Sequence, residues 1–218
     1  MIRTASILLA VALHAHCSAQ KGSIPDVSST IKGDLILPIP FKNPLFTTYT
    51  ENIGQAGLTF QVPVSKGFGL GIGGGMWWTT LKERALQPFV PNGDMRRVIV
   101  FGKAQYEHYT GPVTFYEASL KVGAAWYDFD CATCAGARPP VLYWAVGLGY
   151  FVHATENLAF GLTIGYDRAA RTFSASDLGV EHFPGTRQTI EQRAMQDFLL
   201  GLCFSTRLRR SDREAVTW

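Results

Sequence analysis

VTFYEASLKVGAAWYD, Val113 to Asp128, is the stretch that decides the fold. Its even positions Tyr116, Ala118, Leu120, Val122, Ala124 and Trp126 are apolar, while the odd positions Glu117, Ser119 and Lys121 are polar. A period of two describes a strand with one face suited to hydrocarbon and the other to water. Tyr116 and Trp126 bracket the apolar face. At roughly 3.3 Å per residue and a tilt near 40°, they stand about 25 Å apart along a membrane normal, the spacing of two aromatic girdles.

The same parity runs outward in both directions. Downstream, Leu142, Trp144, Val146, Leu148, Tyr150 and Val152 oppose Ala145, Gly147 and Gly149, and Leu158, Phe160, Leu162, Ile164 and Tyr166 oppose Ala159, Gly161, Thr163, Gly165 and Asp167. A last strand sets Phe198, Leu200, Leu202 and Phe204 against Asp197, Gly201, Ser205 and Arg207. Upstream, Leu58, Phe60 and Val62 oppose Gln55, Thr59 and Gln61, and Leu70, Ile72, Met76 and Trp78 oppose Gly69, Gly71, Gly73 and Gly75. Val98, Val100, Ala104 and Tyr106 oppose Lys103, Gln105 and Glu107, with Ile99 and Phe101 also on the second face. The first strand, about Thr30 to Leu37, turns Leu35 and Leu37 outward and Lys32 and Asp34 inward.

The prolines mark the strand limits, because proline has no N–H for a sheet ladder. Pro38, Pro40, Pro44, Pro63, Pro88, Pro91, Pro112, Pro139, Pro140 and Pro184 are expected in connections or at strand ends. The connections alternate: tight turns near Val64 to Gly67, Gly111 to Val113 and Thr155 to Asn157, and longer excursions over Ile39 to Asn52, Leu81 to Asp94, Phe129 to Pro139 and Ser174 to Glu191. The class read from this rhythm is all-β, an eight-stranded antiparallel up-and-down transmembrane β-barrel. Helical periodicity is confined to a short candidate at Thr189 to Ala194.

The N-terminus agrees with export. Arg3, the apolar run Ala5 to Leu13 and the small residues Cys17-Ser18-Ala19 form a secretory signal over residues 1–19, cleaved after Ala19. A lipoprotein signal at Cys17 is the rival, opposed by His16 before it. Residues 20–29 then form a short periplasmic segment, 30–208 the barrel and 209–218 a charged tail. No later segment offers the roughly 18 apolar residues of a spanning helix, so a membrane protein of this sequence must be a barrel. The chain has 218 residues, a net charge of +3 and only 17% charged residues, with no basic run or aromatic-basic patch of the kind nucleic acid needs.

These strands and connections resemble the small eight-stranded outer-membrane barrels of Gram-negative envelopes, of the OmpA/OmpX kind, and the wider porin-like outer-membrane β-barrel families. The resemblance spans about Thr30 to Leu208 and rests on pattern and topology. It implies a site among outer-membrane lipid and lipopolysaccharide and insertion by the barrel-assembly machinery, whose signal in the final strand Gly201, Phe204 and Leu208 approximate. The tail Arg209 to Thr217 before Trp218 departs from families that end at the strand. With the first connection external, the long loops face outside and the short turns the periplasm.

Within such a ring, strands three and seven are opposite and both carry inward glycines, which are expected to hollow the lumen. Strands four and five face strands eight and one, so two inward ionic clusters are expected. One holds Lys103, Gln105, Glu107, Glu117 and Lys121; the other holds Lys32, Asp34, Asp197 and Arg207, with Asp34 to Arg207 as its direct pair. A paired structural plug and a gated ion path or ligand pocket both fit these charges, although eight strands leave little room for a diffusion pore. Tyr116, Trp126, Trp144, Tyr150, Tyr166, Trp78 and Tyr106 are the expected girdle.

Several motifs suggest narrower chemistry. Gly69-Leu70-Gly71-Ile72-Gly73-Gly74 matches a dinucleotide fingerprint, but Met76-Trp77-Trp78 continues a strand where that fingerprint opens a helix. Cys131-Ala132-Thr133-Cys134 in an exported loop favours a local disulfide over free thiols or a metal site, and Cys203 reads as an unpaired inward hydrophobe. Some outer-membrane barrels acylate or deacylate lipid A with His, Ser and an acidic partner. His108, His153 and His182 are the available bases, and none has both companions on its face. No enzyme, cofactor or metal is therefore expected. A secreted lipocalin-type barrel would show the same alternation with its apolar face inward; the girdle spacing, the absence of a late helix and of a Gly-x-Trp signature oppose it. Recognition of an extracellular ligand would fall to the loops, where Phe41, Phe46, Tyr49, Phe89 and Phe183-Pro184-Gly185 offer either a contact surface or rim packing.

Overall fold

The computed structural model describes residues 28–42, 44–82, 93–130, 136–174, 177 and 193–208. The signal and tail, Cys131, Cys134, Phe89, His182 and Phe183 to Gly185 lie outside the described residues. Eight strands form a closed antiparallel ring in chain order: β1 (Thr30–Pro40), β2 (Thr50–Ser65), β3 (Phe68–Leu81), β4 (Asp94–Tyr109), β5 (Thr114–Asp130), β6 (Val141–His153), β7 (Leu158–Phe173) and β8 (Arg193–Arg207). One short helix, α1 (Pro44–Tyr49), interrupts the first connection. Of the helix candidate Thr189 to Ala194, Arg193 and Ala194 belong to β8, and residues 189–192 lie outside the described residues. From Arg193 on, sheet closure governs, because an open edge at β8 would leave a row of peptide groups unpaired.

Closure is made by β1 against β8, in register from Thr30↔Arg207 to Pro40↔Asp197. On its other side β1 pairs with β2 only as far as Ile36↔Gln55. β1 thus runs past the expected Leu37, with Pro38 inside it and Pro40 at its end, and both prolines lie beyond its ladder with β2. Pro63 is likewise within β2, at a register shift between Pro63 and Ser65, where a bulge spares the missing N–H. Lys66-Gly67 makes the two-residue turn into β3, with Gly67 at φ 76°, the positive φ that tight hairpins demand.

The alternation sorts side chains as the strands require. Leu58, Ile72, Leu148, Leu162 and Leu202 face outward and are exposed, Ile72 by 71%, whereas the inward Arg97, Asp167 and Asp197 are 0% exposed. Charged and polar groups are buried inside together with aromatic and aliphatic ones, and apolar groups cover the outside. Among the described residues no helix is long and apolar enough to cross a membrane, which leaves crossing by strands untouched.

Candidate functional site: the filled lumen and its aromatic rims

Three polar layers cross the lumen. At the short-turn end, Arg207 donates to the Tyr109 hydroxyl, and the His153 ring lies 3.3 Å from the guanidinium and 3.4 Å from that hydroxyl. Phe115 and Phe151 stack beneath, with centroids 4.8 Å apart.

The second layer is a lysine–carboxylate lattice. Lys32 donates to Glu117 and, at 2.6 Å, to Glu107; Lys103 reaches the other Glu117 oxygen at 2.6 Å; Gln105 donates to Glu107 at 3.0 Å. Lys121 pairs with Asp34 at 3.4 Å while its ammonium lies 4.7 Å over the Phe101 ring. Three lysines meet three carboxylates, so the layer is neutral by formal charge. That balance is what permits burial, since each charge has a partner in a medium that screens poorly.

The third layer lies toward the long loops. Arg97 donates to Asp167 at 2.9 Å, to Asp197 at 3.0 Å and to the Gln55 carbonyl at 3.0 Å. Its guanidinium sits 4.5 Å over Trp77 and 5.9 Å from the Tyr143 centroid, a planar cation held by aromatic faces. Phe46 of α1, fully buried, closes the lumen above this layer together with Leu81, Met95, Phe129 and Met195. The cap is anchored where Thr50 donates to the Phe46 carbonyl at 2.6 Å and Lys82 to the Thr47 carbonyl at 2.8 Å.

The ionic groups are therefore arranged otherwise than in two clusters. Lys32 crosses the ring to join Glu107 and Glu117, because β1 faces β5. Asp34 pairs with Lys121 and not with Arg207: Asp34 is level with Cys203, whereas Arg207 is level with Thr30, four residues or roughly 13 Å further along β8. Asp197 stands at the opposite end of β8, level with Pro40. Its partner Arg97 lies outside both expected clusters, although odd parity on β4, two positions before Ile99, marks it as inward; Asp167, on the inward face of β7, lies outside them too.

The glycine walls also differ from expectation. On β3 they do not hollow the lumen, because opposing side chains fill the space: a Cβ on Gly73 would lie 2.6 Å from the Leu58 carbonyl, 2.8 Å from Thr59 and 2.9 Å from the Phe101 ring. On β6 and β7, Gly147, Gly149 and Gly165 do border a cavity of about 50 Å³, closed across the lumen by Lys32, Asp34, Lys103 and Lys121. That volume suits a few water molecules. Asp34 Oδ1 has no protein partner among the described residues.

Outside, the girdle residues fall into two belts. Phe68, Tyr106, His108, Tyr116 and Tyr150 adjoin at the short-turn end, with successive centroids 4.8 to 6.5 Å apart. Trp144, Tyr166, Phe198 and Phe41 adjoin at the loop end, at 5.6, 6.0 and 4.7 Å, and Trp78 and Trp126 are exposed on the loop-end halves of β3 and β5. Tyr166 donates to the Gln196 side-chain Oε1 at 2.9 Å. Phe41 thus packs on the rim and Phe46 in the core. His108 is held outward between two tyrosines, and His153 has a guanidinium beside it where a catalytic triad has a carboxylate. Cys203 is buried and free. Among the described residues no group of three or more His, Cys, Asp or Glu side chains could hold a metal ion.

Comparison with solved structures finds the same ring in Neisserial surface protein A, with a TM-score of 0.56, 7% identity, and coverage of 83% of this chain and 97% of that one. The fold is that of a small outer-membrane barrel. OprG from Pseudomonas aeruginosa (TM-score 0.46, 12% identity, 85% and 99% covered) and Ail, the attachment invasion locus protein of Yersinia pestis (0.43, 12%, 83% and 99%), are fainter likenesses and add nothing to that statement. No protein-family model and no curated protein matches the chain. At these identities the likeness concerns the barrel's architecture; what the barrel does has to be argued from its own side chains.

Proposed function

We propose that this chain is an integral outer-membrane barrel with a structural or surface-interaction role, its lumen plugged by paired charges and its four long connections outside the cell. The carrying observation is the distribution of polarity: a continuous exposed apolar band around the ring, bounded by two aromatic belts, over an interior in which Lys, Arg, Asp and Glu are buried in paired layers among aromatic and aliphatic side chains. Water would reject that band, and lipid would accept it while the closed ladder leaves no backbone edge unpaired. The same distribution opposes a lipocalin-type barrel, whose apolar residues would line the cavity. The neutral lysine layer, the Arg97 layer and the Phe46 cap favour a plug over an open path. A non-catalytic role accords with the surroundings of His108 and His153.

Outer-membrane lipid and lipopolysaccharide are the surroundings this reading requires, and the barrel-assembly machinery the route of insertion. The test is density fractionation with surface labelling. An epitope inserted in residues 83–92 should be labelled on intact cells, whereas one inserted in the turn at residues 110–113 should be labelled only after the outer membrane is permeabilised. Recovery in a periplasmic soluble fraction, or labelling of both sites on intact cells, would contradict it.

A further inference from the structure

The outward face of β6, β7, β8 and β1 differs from the rest of the loop-end rim. Trp144, Arg168 and Gln196 share one rung, and the Phe41 amide donates to the Gln196 main-chain carbonyl at 2.8 Å, which extends that rung to β1. The rung below carries Val146, Tyr166, Phe198 and Ile39. The rings of Trp144, Tyr166, Phe198 and Phe41 therefore form one continuous strip. Arg168 is exposed at its polar edge, and Lys42 lies 5.0 Å over the Phe41 ring at its far end.

The backbone positions that carry these two cations thus stand about two strand spacings, roughly 10 Å, apart. The Tyr166 hydroxyl donates to Gln196 Oε1 within this strip. Beside and below the strip, exposed Val146, Leu37, Ile164 and Leu200 descend into the apolar band. No described strand residue on this outward face is acidic. Across the ring the rim is the reverse: Asp94, Asp128 and Asp130 face outward around Arg96.

We propose that the β6–β7–β8–β1 face is a docking site for a phosphorylated glycolipid of the outer leaflet. Arg168 and Lys42 take its phosphates, the aromatic strip takes the saccharide, and Leu37, Val146, Ile164 and Leu200 take its acyl chains. The occupant follows from this order of surfaces along the membrane normal, anion-binding above sugar-stacking above hydrocarbon, and from the charge contrast with the acidic far side. A guanidinium recognises phosphate by paired donors, and aromatic faces recognise sugar rings through the same apolar contact by which they pack. The inference rests on the outer-membrane reading above.

The test uses the full barrel in nanodiscs of neutral phosphatidylethanolamine doped with lipid A, with bound lipid A counted by native mass spectrometry. Arg168→Gln combined with Lys42→Gln should weaken retention about tenfold or more, the loss of charge-assisted contacts. Arg96→Gln, on the acidic side, should leave it unchanged, and dephosphorylated lipid A should bind as weakly to the wild type as intact lipid A does to the double variant. Equal loss in Arg96→Gln, or equal retention of phosphatidylglycerol, would overturn the site in favour of general anion attraction. A barrel that inserts and retains lipid A regardless of the double substitution refutes this site alone; a chain that never enters the nanodisc refutes the membrane reading itself.

Discussion

Arg97 touches Asp167, Asp197, Gln55 and Trp77 with no exposure to solvent, so its removal strands two carboxylates in the core. Arg97→Met should destabilise the barrel by roughly 3–5 kcal/mol, read as a lowered urea midpoint of the folded-to-unfolded gel-mobility transition. Asp197→Asn, which keeps the shape and leaves Asp167 to match the guanidinium, should cost much less; equal losses would show that the layer is not a charge-matched unit. Gly73→Val belongs to the same scale. Its side chain would press on the Leu58 carbonyl and the Phe101 ring, with an expected loss of about 1–3 kcal/mol in that midpoint. The inward position of both residues was legible in the parity. Their partners were not, because partners depend on stagger between strands, and a pattern that repeats every two residues is silent on stagger.

At the scale of elements, strand parity, connection rhythm and ring order were readable because each strand must satisfy its own two faces. The short helix α1 was not, since Pro44–Tyr49 is too brief for periodicity and is held by the cap that Phe46 makes on the lumen. The prolines of β1 show the same limit. Their tolerance depends on where β2 stops pairing, a fact about a neighbouring strand. Because the charge layers lie beneath α1, replacing Pro44–Tyr49 by a short Gly-Ser connection should leave the barrel non-conducting in planar bilayers. A large, stable conductance from that variant would assign the seal to the helix and reduce the ionic layers to a lining.

For the whole molecule, apolar exposure and polar burial are one design, and neither makes sense without the other in a lipid setting. Ile72, the most exposed of the large outward hydrophobes at 71%, lies near the middle of β3. Ile72→Arg should therefore cost about 2–4 kcal/mol in a bilayer, against about 0–1 for Thr172→Arg near the loop end of β7, measured as urea-dependent insertion into vesicles. Equal costs at the two depths would place both residues in one medium. The most direct measurement of the central claim is the mobility of purified, detergent-solubilised protein on a denaturing gel before and after boiling. A detergent-dependent barrel predicts two distinct bands, the unboiled one resistant to protease along its strands. A protein that stays soluble without detergent and runs as a single band under both conditions would contradict it.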